Sequence, residues 1–317
     1  MADMTSVRFT GPSRKLGEAR QAEELSAWDE TWLNDGAPTK LLKKLGKGSL
    51  LLDTLEYDIF PQGTARASFT PKDEFGLGRD IGKHPIEFGQ MILNGPGVHE
   101  LPELVAIKTL DSIEQLKHEW AISQYLNGVF EDQFALLPLG IHRNEDGNFS
   151  IITVYEHGIQ TGDQTFWADY GTEPEALRPE NIRKTFAMGI LGLGMFHGAR
   201  VIHGDAEAKN LAFDRSGPRA VDLEDAAIIP HADMDSDRLP AATRQELDAY
   251  ISSTVQVDEN RKMVADALSS PQMIKYAQQQ YTNGVRLGRL SQSGHYVPPI
   301  ELQNADHIAA KIEKLKK

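Results

Sequence analysis

The chain has 317 residues, 40% hydrophobic and 25% charged, and its 46 Asp and Glu against 33 Lys and Arg give a formal charge of −13. That is enough for one large domain or two modest lobes with filled cores, and the acidity excludes a broad attraction to nucleic acid or an anionic membrane outside small groups such as Lys40, Lys43, Lys44 and Lys47 or the Lys311, Lys314, Lys316, Lys317 tail. The lack of cysteine excludes disulfide scaffolds, thiolate zinc sites, iron–sulfur clusters and cysteine nucleophiles.

The amino terminus, MADMTSVRFTGPSRK, has no apolar core behind its charges and does not read as a secretion signal. Residues 17–33 are polar with Ala19, Ala22, Leu25, Trp28 and Leu33 near helical spacing, and Asn34, Asp35 and Gly36 stop them; they read as a helical extension over 1–36. Residues 49–70 read as strand, a Pro61-Gln62-Gly63 turn, and strand again. A stretch rich in Gly, Pro and charge follows, carrying two more strands, EFGQMILNG and ELVAIKTL, the second an apolar run of the buried kind. A helix is expected over 112–126 with Ile113, Leu116 and Trp120 inward, then a hairpin from FALLPLGIHRN to FSIITVYEH around Glu145-Asp146-Gly147-Asn148.

Beyond Gly158 helices dominate. Ile182, Phe186, Ile190, Leu193 and His197 recur at steps of three and four, so 180–197 is a helix with Gly198 as its stop. Its most apolar run, 186–196, holds Gly189, Gly192 and Gly194 and is far short of the roughly 20 residues that span a bilayer. Short strands flank VIHGD and AVDLED, and three helices are expected near 243–255, 271–286 and 305–316. Strands gathered in one half and helices in the other are the α+β pattern, with a junction at about Glu156. Trp120, Trp167, Tyr170 and His197 read as core residues, and the lysine tail as a solvated helix end.

The stretch from Val201 to Asp214, VIHGDAEAKNLAFD, carries the chemistry. Asp205 and Asn210 lie five apart in a loop between an apolar helix and a short strand, and Asp222 follows at the next strand end. Three oxygen-bearing side chains can converge there, the hard ligand type that magnesium takes. A carboxylate left free beside such a metal can orient a hydroxyl and accept its proton.

His203-Gly204-Asp205, Asn210 and Asp222-Leu223-Glu224 resemble the catalytic loop and metal motif of the protein-kinase-like superfamily, and Val105-Ala106-Ile107-Lys108 resembles its nucleotide-lysine strand. The resemblance implies a two-lobed fold with Mg-ATP in the cleft, an amino-terminal lobe of antiparallel sheet plus one helix over 37–156, and a mostly helical lobe over 157–317. It assigns Lys108 to the α- and β-phosphates, a helix glutamate to hold that lysine, Glu156 at the junction to the nucleotide, Asp205 to the role of base, and Asn210 and Asp222 to magnesium. Glu119 is preferred over Glu114 as the lysine's partner because it lies deeper in its helix, beside Trp120.

The departures from protein kinases sharpen the expected acceptor. Asp-Leu-Glu at 222–224 resembles the Asp-Trp-Glu and Asp-Phe-Glu variants of aminoglycoside and choline phosphotransferases, and Gly204 stands where protein kinases commonly have arginine. Only about twenty residues separate Asp222 from the next helix, with no Ala-Pro-Glu motif. Position 207 is Glu rather than lysine, which leaves Lys209 as the nearby cation. The short span from Glu156 to His203 points the other way, leaving little room for extra substrate-binding helices. Three segments compete for the glycine-rich loop, at 45–49, 61–64 and 76–82, and in a chain with 27 glycines none is singled out. The expectation is a cytoplasmic, ATP- and Mg-dependent kinase acting on a hydroxyl-bearing small molecule, with an atypical protein Ser/Thr kinase or a nucleotide-binding module without transfer activity as alternatives. Neither nucleic acid nor membrane insertion is expected.

Overall fold

The structure, a computed structural model, describes residues 50–52, 66–71, 84, 86–94, 101–130, 134–136, 138–143, 146–155, 159–168, 175–214, 217–229, 238–290 and 300–315. The expected extension at 1–36, the three glycine-rich segments, Glu156 and Tyr170 lie outside them. Described residues up to 155 belong to one compact unit and those from 159 onward to another.

The first unit is built on a six-stranded antiparallel sheet. Its strands are β1 (Leu50–Leu52), β2 (Arg66–Pro71), β3 (Ile86–Asn94), β4 (Leu101–Leu110), β5 (Pro138–Arg143) and β6 (Phe149–Val154), in the order β1-β5-β6-β4-β3-β2. The apolar run around Val105 thus lies in an interior strand, β4, paired on both edges. One helix, α1 (Ile113–Phe130), packs its Leu116 and Trp120 with Leu110, Ile141 and Ile151. Each such side chain contributes about 1.5–3 kcal/mol on leaving water. Ser112 caps α1: its Oγ accepts from Gln115 N–H at 3.1 Å while Gln115 Oε1 accepts from Ser112 N–H at 3.2 Å. The helix runs one turn past the expected end at 126. Residues 121–127 are all buried, polar ones included, so no polar face marks where it stops.

The second unit is mostly helical. Strand β7 (Gln160–Thr161) leads into a short helix, α2 (Gly162–Phe166), and then the long α3 (Pro179–Gly198). Strand β8 (Val201–Ile202), a 3-10 turn at Ala208–Asn210, β9 (Leu211–Phe213), β10 (Pro218–Ala220) and β11 (Ala227–Ile228) form two small antiparallel sheets, β10-β9-β7 and β11-β8. Helices α4 (Arg238–Ser253), α5 (Asp258–Leu268), α6 (Pro271–Leu290) and α7 (Ile300–Lys314) follow. The chain is therefore α+β, an antiparallel sheet followed by a mostly helical part.

Gly198 ends α3 as expected, as its last residue, and a Cβ there would run into the Val285 carbonyl oxygen of α6. Glycine is there for close helix approach, and the left-handed turn comes two residues later at Arg200, φ 63°. One expectation for this unit changes: among the described residues four helices rather than three follow β11, because α5, with its polar sequence DENRKMVADAL, is held by tertiary contacts. Asn260 on it donates Nδ2–H to the Phe166 and Ala168 carbonyls at 3.3 and 2.9 Å. Among the described residues no helix is long and apolar enough to cross a membrane.

Candidate functional site

Lys108 sits in β4 opposite Ile86 and Ile151 and is only 8% exposed. A buried ammonium costs several kcal/mol unless partnered. Its Nζ donates to Glu119 Oε2 at 2.9 Å, and Glu119 is itself 7% exposed on α1. Glu114, in the first turn of the same helix, faces solvent. The helix phase that buries Trp120 carries Glu119 inward with it.

The second set of groups is built on a loop. After α3 the buried Arg200 turns the chain in its left-handed conformation, and its Nη1 donates to the Ile229 carbonyl at 2.8 Å while Ile229 N–H donates to the Arg200 carbonyl at 2.7 Å. His203 is fully buried edge-on to Phe196, and its Nε2–H donates to the Val221 carbonyl at 3.1 Å. Gly204 has φ 87°, and a Cβ there would run into the Asp225 carbonyl oxygen. An arginine cannot occupy this position.

Asp205 and Asn210 meet. Asn210 Nδ2 donates to Asp205 Oδ2 at 2.7 Å and to the Asp205 carbonyl at 2.9 Å. Two acceptors on that side fix the amide orientation, so Asn210 Oδ1 is the atom left to ligate. The loop is also fastened from α4: Gly204 N–H donates to Glu246 Oε1 at 2.7 Å, and Ala208 N–H to Ser253 Oγ at 2.9 Å.

Asp222 comes alongside by strand pairing. Ala220 opposes Leu211, so the residues after β10 run back along Asn210 and Lys209. Asp222 has φ 54°, a conformation costing about 1–3 kcal/mol in a residue other than glycine, and it persists because its neighbours are pinned on both sides, Val221 by His203 and Asp225 by the close approach of Gly204. Lys209 Nζ lies 3.4 Å from Glu207 Oε2 and 3.7 Å from Asp205 Oδ2. Partial burial would lower the Lys209 pKa, but Asp205, Glu207 and Asp222 outweigh it and raise it above the usual lysine value. One ammonium is thus paired with two carboxylates and lies in the field of a third, Asp222.

Among the described residues no group of three His, Asp or Glu side chains is arranged to hold a metal unaided. The oxygens of Asn210 and Asp222 fit magnesium in another way. That ion keeps several waters and takes one or two protein oxygens plus phosphate.

Three outcomes extend or differ from the sequence reading. His197 packs inward as expected, and it also hydrogen-bonds Glu246 and Tyr281. Trp167 is half-buried and donates Nε1–H to the Ser253 carbonyl at 2.8 Å. Lys311, expected in a solvated tail, pairs with Asp248 at 3.2 Å. Glu246 escaped the sequence reading, although a signal was present: it shares a helical stripe with Thr243, Leu247, Tyr250 and Ile251, a carboxylate on an otherwise inward face. No protein-family model matches this chain, and no curated protein matches it.

Proposed function

We propose that this protein is a two-lobed, protein-kinase-like phosphotransferase that moves the γ-phosphoryl group of ATP to a hydroxyl, with a small-molecule alcohol as the favoured acceptor. The observation that carries the reading is the loop constellation: a half-exposed Asp205 bonded to Asn210, with Asp222 brought alongside by β9 and β10. In this reading the acceptor O–H gives its proton to Asp205, a bond forms from the acceptor oxygen to the γ-phosphorus, and the bond to the β,γ-bridging oxygen breaks, releasing ADP. Asn210 Oδ1 and Asp222 would hold magnesium, which neutralises charge on the phosphates when bound. Lys108, steered by Glu119, takes the α- and β-phosphates, and Lys209 is the cation nearest the base. Gly204 and Asp222-Leu223-Glu224 favour a small acceptor over a peptide, by resemblance.

Labelled Mg-ATP incubated with the purified protein and a cell extract tests this, with protein and small-molecule fractions separated afterwards. Label from the γ-position in a small molecule is the expected result. Label in protein would move the acceptor to a polypeptide, and label in neither fraction would overturn transfer. Mg-ATP should also stabilise the wild type against heat but not Asp222→Ala; equal stabilisation of both removes Asp222 from the metal.

A further inference from the structure

Helix α6 packs one side against α3 and leaves the other in water. The inward side runs through Met273, Ala277, Tyr281 and Val285, and a Cβ on Gly284 would run into the Leu191 carbonyl oxygen of α3. The opposite side carries Lys275, Tyr276, Gln279, Asn283, Arg286 and Leu287, all exposed. Among the described residues Tyr276 and Leu287 are the only large hydrophobic side chains so exposed, each at 45%. Single exposed apolar residues are ordinary on a protein surface, but these two stand on one face of one helix, eleven residues apart. That interval is three helical turns to within about 20°, and about 16 Å along the axis.

Each of the two is preceded by a cation. Lys275-Tyr276 and Arg286-Leu287 thus repeat a basic and apolar pair at an interval that returns it to the same side of the helix. The sequence of α6 contains neither Asp nor Glu. Among the described residues neither Lys275 nor Arg286 is in an ion pair. The acid on the flanking α7, Glu313, lines a cavity of about 510 Å³ together with Lys275 but forms no salt bridge with it. In a chain of formal charge −13 this face therefore presents cations that its own surroundings do not neutralise.

Cations beside exposed apolar carbon attract a ligand that offers carboxylates and apolar groups together. An anionic membrane offers both as well, but two cations weigh little against the repulsion between a broad negative surface and a molecule of net charge −13. A helix is the element whose side chains recur at the same three-turn interval, so one partner helix laid along α6 meets both pairs at once. We propose that this face of α6 is a docking surface for an acidic amphipathic helix of another protein, whose Asp or Glu side chains pair with Lys275 and Arg286 while its apolar stripe covers Tyr276 and Leu287. The proposal does not rest on phosphoryl transfer, since none of the four residues belongs to the Lys108 or Asp205 groups.

The full-length protein and synthetic probes test it. The probes are fluorophore-labelled peptides of alanine and glutamine, about five helical turns long, carrying two acid and apolar pairs at the three-turn interval. One has the order Glu-Leu and one Leu-Glu, so that both helix directions are offered, and matched controls carry Lys in place of Glu. By fluorescence anisotropy at low salt, at least one acidic peptide should bind wild type with Kd of about 100 μM or tighter, while its Lys control should not bind at that concentration. Lys275→Glu/Arg286→Glu should weaken the acidic peptide at least about tenfold and gain binding of the Lys control, a reversal that requires contact at those two positions. Tyr276→Ala/Leu287→Ala should weaken the acidic peptide at least about fivefold with both charges in place. All four side chains are exposed, so thermal unfolding of both variants should stay within about 2 °C of wild type. Failure of both acidic peptides to bind overturns the proposal, as does equal binding to wild type and the charge-reversed variant. Binding to phosphatidylserine vesicles that charge reversal abolishes, without binding of either peptide, would give the face to a membrane surface and likewise overturn it.

Discussion

Lys108 and Glu119 are brought together by a ten-residue strand and an eighteen-residue helix, and both are nearly removed from water. Asp205, Asn210 and Asp222 are brought together by strands of two and three residues, a 3-10 turn, and two backbone positions with positive φ, at Gly204 and Asp222. Asp205 and Lys209 keep 40% and 34% of their side-chain surface in water. Regular elements can bury a charge pair because their own backbone groups are satisfied internally. A loop can keep a carboxylate half-open to reactants and hold it by bonds to its neighbours. Stability should be sensitive at the first set and chemistry at the second.

The largest effect is expected where the buried pair is broken. Lys108→Met takes the ammonium from the buried Glu119 carboxylate, Glu119→Gln takes the carboxylate from the buried Lys108 ammonium, and each should destabilise the sheet-bearing unit by up to about 3–5 kcal/mol. The double variant removes both charges and should be more stable than the sum of the single losses implies. Urea unfolding of the four proteins gives the cycle, and strict additivity would mean that the 2.9 Å contact carries no energy of its own.

Asp205→Asn should do the reverse. The side chain is half-exposed and asparagine fills the same volume, so unfolding should change by no more than about 0.5 kcal/mol. Transfer should fall at least about 10²-fold, with nucleotide affinity held within about threefold, because in the proposed reading the group acts on the acceptor proton and not on ATP. A variant that still transfers at near wild-type rate would take the base role from Asp205.

An intermediate effect belongs to Glu246, the buried group behind the open loop. Its pKa is lowered in the folded protein by His197, His203 and the Gly204 N–H despite desolvation. A depressed folded value means that the unfolded chain takes up the proton first. The stabilisation is therefore complete above the ordinary glutamate range and is lost as pH falls below it. Acid unfolding of the helical unit should start at higher pH in the wild type than this one group would allow if unshifted, and Glu246→Gln should flatten that limb of the stability profile. The side chains facing Glu246 are His197 and His203. Superimposable acid limbs for the two proteins would show that the carboxylate is not held in its charged form.

Legibility in the sequence followed the same division. The strand around Lys108 declares itself by four apolar-rich residues in a row, and Glu119 by its place next to Trp120, because in regular elements neighbours along the chain predict facing. Asp205, Asn210 and Asp222 were visible as residue types at a spacing, yet the pinning of Asp222 by His203 and Gly204 depends on strands only two or three residues long, which leave little periodic trace. The end of α1 was obscured because residues 121–127 are buried on every side. Helix α5 was obscured because Asn260 and the helix around it are held by carbonyls over ninety residues away in sequence. At Gly198 the helix stop was legible, but not the second demand on the glycine, the close approach of α6.

The smallest effect should be at Glu114, and it tests the helix phase on which the first set depends. Glu114 is one turn and a half from Glu119 on α1, so the two point to different sides, one to solvent and one to Lys108. Its carboxylate near the helix start has a favourable but screened interaction with the helix dipole, worth about 0.3–1 kcal/mol at most at low salt. Glu114→Gln should therefore lower stability by a few tenths of a kcal/mol, an effect that salt removes, and leave phosphoryl transfer within about twofold of wild type. The double variant Glu114→Gln/Glu119→Gln should behave as Glu119→Gln alone, since groups without a shared partner act independently. Loss of transfer in Glu114→Gln with activity kept in Glu119→Gln would rotate the helix by about a turn and hand the lysine to Glu114.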